Sequence, residues 1–171
     1  MSESGGATVN IDAMRASLTA DHATKLVARL TGEPEVSIEQ QIYYPFFHFA
    51  ASARLRWLFG ERRMCLDCLV DARTGRAASA DALTIERIEA EPKACVAAVK
   101  DGQVAEKNAR RYASHALGRS FRVLGNFNLE LAPAVLVHRP YWVVRAADHS
   151  VLVDAVTGDV HPLVSNRQRV A

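Results

Sequence analysis

Val70-Asp71-Ala72-Arg73-Thr74-Gly75 returns later in the chain as Val153-Asp154-Ala155-Val156-Thr157-Gly158. Each copy follows a proline with aromatic residues behind it, Pro45-Phe46-Phe47 and Pro140-Tyr141-Trp142. Aspartate and threonine side chains accept hydrogen bonds from backbone N–H groups a few residues on, and glycine adopts positive φ without a Cβ penalty. Each hexapeptide therefore reads as a strand that closes in a tight turn. That turn accounts for Asp71 and Asp154 without a metal or acid–base role. A helix with one apolar face precedes each proline-aromatic stretch, so the order helix, strand, aromatic strand, turn occurs twice. The repetition reads as an internal duplication.

Working outward, Leu18–Gly32 reads as the first helix. Thr19 serves as N-cap and Leu18 as the staple residue before it, and Ala23, Leu26, Val27 and Leu30 form an apolar stripe. Gly32 supplies a left-handed end and Pro34 prevents continuation. Strands follow from Val36 to Val70. In this region Tyr43 to Phe49 is rich in aromatics, Leu55–Phe59 and Met64–Val70 flank a turn at Gly60-Glu61, and Pro45 belongs at an edge, a bulge or a strand start. Pro92 opens a short helix in the connector. A second long helix is expected over 103–117, with Ala105, Ala109, Tyr112, Ala113, Ala116 and Leu117 on one face, and strands return from Phe127 to Val153.

The expected fold is α+β: two tandem helix-plus-antiparallel-sheet units packed as one body. The divisions are an N-terminal tail over 1–17, a first unit over 18–76, a connector over 77–102, a second unit over 103–162 and a C-terminal tail over 163–171. Units this small have marginal cores alone, hence the expectation that they pack together.

The Val-Asp-Ala-x-Thr-Gly-x-Val run from Val153 to Val160 resembles the strand end of PepSY domains, in which a helix precedes an antiparallel sheet. His138–Val160 carries the better likeness, the first copy is interrupted by the Ala50–Cys68 hairpin, and the two copies cover most of 18–162. The resemblance implies a non-catalytic module that binds or inhibits other proteins, commonly outside the cell.

Composition narrows the setting. With 171 residues, 49% hydrophobic and 23% charged, the chain has the balance of a globular protein and not of a disordered one. A net charge of +2 is too mild to require nucleic acid or a membrane. The opening MSESGGATVNIDAM has no basic-then-apolar leader, and the longest apolar run, Leu131–Val137, is far short of a membrane span. A cytoplasmic location is the expectation. Three cysteines do not make a disulfide framework.

The residues able to carry chemistry are few. Cys65 and Cys68 have the spacing of a metal or redox pair, but strand geometry points them to opposite faces. Separate reduced thiols are expected, with Cys68 buried, Cys65 the more reactive, and neither metal nor cofactor bound. His48 and His138 fall at near-equivalent places in the two copies and suit packed or edge positions. Arg54, Arg56, Arg62 and Arg63 surround Trp57 and Phe59 on the hairpin, and Lys107, Arg110, Arg111, Arg119 and Arg122 run along the second helix. The expected function is a non-catalytic protein- or peptide-binding or regulatory module. Its binding residues would be the hairpin arginines with Trp57, Phe59, Tyr141 and Trp142, and its partner another protein or a second copy. Two alternatives stand beside it: a metal-binding or thiol redox protein using Cys65 and Cys68, and a nucleic-acid-associated protein using hairpin 54–63.

Overall fold

The computed structural model describes residues 7–57, 60–81, 83–121 and 128–163. The elements in chain order are β1 (Val9–Met14), α1 (Ala20–Thr31), β2 (Val36–Trp57), β3 (Gly60–Asp71), β4 (Ala77–Ala80), β5 (Ile85–Ala90), a 3-10 turn (Pro92–Ala94), α2 (Gly102–Phe121), β6 (Asn128–Leu131), β7 (Val135–Ala146), β8 (His149–Asp154) and β9 (Val160–Pro162). Backbone ladders join these nine strands in one mixed sheet, ordered β4-β3-β2-β7-β1-β5; β6 pairs with β2, and β8 pairs with β7 and β9.

Two tandem helix-plus-antiparallel-sheet units are not what forms. Strand takes up 51% of the described residues against 23% helix, and the strands belong to a single sheet that is not wholly antiparallel. The physical reason lies in β2. It is a continuous 22-residue strand, long enough for two helices to use different stretches of it. Val36 and Ile38 pack with α1, whereas Phe49 and Ala53 pack with α2. Two compact units result, and both are discontinuous in sequence: one takes 1–44, 85–96 and 138–171, the other 45–84 and 97–137.

In the first of these units, Thr19 caps α1 by accepting from the His22 N–H, and Gly32 ends it at φ 75° with its N–H on the Ala28 carbonyl. Ala23 and Val27 are fully buried against Val144, Ala146 and Val153, and Leu26 packs beside them. Leu30, expected in the same stripe, is 63% exposed because the helix ends one residue later, past the sheet-facing turn. Val9–Met14, part of the presumed tail, is a strand that pairs along its whole length with β5.

In the second unit, β2 and β3 form a long hairpin in which Gly60 and Glu61, read as the turn, already pair with Trp57 and Arg56. Cross-strand partners share a face. Phe49 with Cys68 and Ala53 with Met64 therefore lie under α2, whose Ala105, Ala109, Ala113 and Leu117 are buried. Small residues at one-turn intervals let the helix settle close to the sheet.

Candidate functional site

The repeated turn forms both times with one hydrogen-bond pattern. Asp71 Oδ1 accepts from the Arg73 and Thr74 N–H groups at 2.7 and 2.9 Å. Asp154 Oδ1 accepts from those of Val156 and Thr157 at 2.8 and 3.2 Å. Gly75 and Gly158 sit at φ 78° and 81°. Each turn then receives the start of a helix: the Ala155 carbonyl accepts from Ser17 and Leu18 ahead of α1, and the Ala72 carbonyl from Val99 and Lys100 ahead of α2. The first helix thus docks on the second turn and the second helix on the first.

Around the first turn lies the most chemically distinctive surface in the described residues. A groove of about 640 Å³ runs between Thr74–Ala77 and one flank of α2. Asn108, Arg111, His115 and Arg119 recur along that flank at helical spacing, half-buried Tyr112 lines the groove with them, and Arg76 joins them from the turn. Asn108 Nδ2 donates to the Gly75 carbonyl at 2.9 Å and ties the helix to the turn. No carboxylate is among the nine lining residues. Arg76, Arg111, His115 and Arg119 are exposed and make no ion pair among the described residues. Arg110, on the opposite flank of α2, differs: it pairs with Glu106 and donates to the Leu129 carbonyl, both at 3.2 Å.

The residues singled out in the sequence are scattered. Arg54, Arg62 and Arg63 are exposed on the hairpin, where Arg54 lies 3.8 Å from Glu61. The side chains of Arg56 and Trp57 and the whole of Phe59 lie outside the described residues, as does Arg122. Tyr141 makes an edge-on ring contact with Tyr44. Trp142 packs in the α1 core and donates its indole N–H to the Leu18 carbonyl at 2.9 Å.

Cys65 is exposed opposite Ser52, whereas Cys68 is fully buried opposite Phe49 on the α2 face. Burial pushes the Cys68 thiol up to about 11. No group of three His, Cys, Asp or Glu side chains among the described residues is placed to hold a metal ion. His48 pairs with Asp67 at 2.8 Å. His138 is buried near the Asp12 carbonyl, and that burial lowers its pKa. No described helix is long and apolar enough to cross a membrane.

The groove was half visible in the sequence. The basic positions of the second helix were noted there, and the four-residue interval from Arg111 to His115 to Arg119 was available as a signal. Arg76 was not, because only the docking of α2 on the first turn brings it to the same groove. No family model, curated protein or solved structure matches the chain.

Proposed function

We propose that the chain is a non-catalytic binding module that holds an acidic segment of a partner protein in the groove between α2 and the Thr74–Ala77 turn. One observation carries this reading: Arg76, Arg111, His115 and Arg119 line a single groove without a carboxylate, while Arg110 on the same helix is paired. A groove of one charge sign raises the local concentration of ligands of the other. Tyr112 and Asn108 add an aromatic surface and an amide for orientation. A cytoplasmic setting and a PepSY-like ancestry belong to the same reading, the latter supported by the twofold occurrence of the Asp-x-x-Thr-Gly turn.

The test is fluorescence anisotropy with a labelled acidic peptide, comparing the unaltered chain with Arg111→Ala/Arg119→Ala. Exposed ion pairs contribute about 0.2–1 kcal/mol each, so loss of two arginines should weaken binding by about twofold to thirtyfold. Unchanged affinity would remove the groove from consideration. Tighter binding of a single-stranded oligonucleotide than of the peptide, with steep salt dependence, would favour the nucleic-acid alternative instead.

A further inference from the structure

β4 borders the groove and is the end strand of the sheet path, paired on one side with β3 and with no other described strand. The Asp71 N–H donates to the Arg76 carbonyl at 2.8 Å. Alternation along an antiparallel ladder then turns the backbone groups of Ala78 and Ala80 toward β3 and those of Ala77 and Ser79 toward the open edge. Edges of this kind are ordinarily protected by shortness, charge, proline or a bulge, and at four residues β4 has only the first of these. Its sequence, Ala-Ala-Ser-Ala, puts no charged side chain or proline in the way of an added strand.

The side chains fit the same picture. Ala77 and Ser79 oppose Val70 and Cys68, which lie on the α2 face. A strand added to β4 would therefore present every second side chain on that face, beside the flank bearing Arg111, His115 and Arg119. Ala105 and Ala109 pack with Val70 while Leu117 packs with Met64, so α2 runs opposite to β3 and along β4. Four residues of helix advance about 6 Å and two residues of strand about 6.8 Å, so the basic stripe and an alternating strand keep step over this length.

We infer that the acidic segment binds as an extra β-strand on the open edge of β4, in extended form with acidic residues at alternate positions over Arg111, His115 and Arg119. The inference rests on the groove reading above and adds the binding mode and the spacing of the ligand's charges. Charge decides between occupants: two copies joined edge to edge at β4 would bring two basic stripes together on one face, whereas an acidic strand neutralises one.

The probe is a peptide alternating glutamate and valine, titrated into the full-length 15N-labelled chain with exchange of the Ala77 and Ser79 amides followed. Both amides should become protected. N-methylation of the peptide groups that would face β4 should weaken binding about thirtyfold or more, the loss expected from two or three hydrogen bonds. Ser79→Pro, which removes one outward donor and no bond to β3, should weaken binding by about fivefold. The methylated peptide acts on the unaltered protein, so a folding defect in the proline variant leaves the question decidable. Affinity that falls in Arg111→Ala/Arg119→Ala but survives both N-methylation and Ser79→Pro defeats strand addition and leaves the groove standing. Affinity indifferent to the arginines defeats the groove itself. Protection of Ala77 and Ser79 that grows with protein concentration without peptide would mean that a second copy occupies the edge, and would overturn the proposal.

Discussion

The two Asp-x-x-Thr-Gly turns share a backbone and differ in what surrounds it. At the second turn Asp154 is 3% exposed, and its Oδ2 lies 2.6 Å from Arg139 Nη2. Arg139 is itself largely buried, and its Nε has no hydrogen-bond partner among the described residues. At the first turn Asp71 is half-buried, and the residue before the proline is Tyr44 where the other copy has Arg139. One hydrogen-bond scheme thus serves in the second copy as a buried electrostatic joint. In the first it is a half-open rim that ends in a basic groove. The difference shows that a repeated turn sequence fixes its own local geometry and leaves its setting free.

Three measurements sharpen or break that comparison. Asp154→Ala leaves Arg139 without its partner in a buried place and should cost about 3–5 kcal/mol in urea unfolding. Asp71→Ala acts at a half-buried turn and not at a buried ion pair, and loss of the acceptor for the Arg73 and Thr74 N–H groups alone should cost about 1–2 kcal/mol. Equal losses would erase the distinction between the turns.

Next come the glycines. Both occupy the left-handed region, so alanine costs about 1–2 kcal/mol at either site. A Cβ at Gly158 meets nothing within 4 Å, whereas one at Gly75 comes within 3.1 Å of Asn108 Nδ2, the atom that ties α2 to the turn. Gly75→Ala should therefore be the more destabilising, and should also weaken acidic-peptide binding, while Gly158→Ala leaves binding unchanged.

The smallest effect concerns pH. His138, two residues before Pro140, has its pKa lowered from 6.5, chiefly by burial, with the Asp12 carbonyl and charge acting the other way. Below 6.5 the unfolded chain binds the proton more readily than the folded one, so this contribution is complete above that pH and is lost as pH falls. His138→Gln should flatten the decline of thermal stability between neutral and mildly acidic solution; an unaltered slope would assign it to other groups.

What was legible in the sequence was local. The turns, the Thr19 cap, the Gly32 end and the small-residue face of α2 each depend on neighbours within a few positions. The partnership of each helix with the turn from the other copy was not legible, because it is set by contacts between distant segments and by the length of β2. β1 escaped notice although Val9 and Ile11 alternate with Asn10 and Asp12, a pattern too short to stand out. For the site, the spacing of Arg111, His115 and Arg119 is written in the sequence, but Arg76 and the edge of β4 that no described strand pairs with come together only in three dimensions.

The crossed partnership of helices and turns bears on how the protein is made. The second unit draws only on 45–84 and 97–137, so all of its residues have been synthesised before His138. β1 and α1 emerge first, yet the strand pair and turn that bury Ala23 and Val27 come from 138–155. At translation rates of about 5–20 residues per second, that helix waits several seconds or more for the later strands, with only Val36 and Ile38 of β2 at hand to cover its apolar face. The residues of the second unit are thus all synthesised before those that complete the first, although the first begins the chain described here.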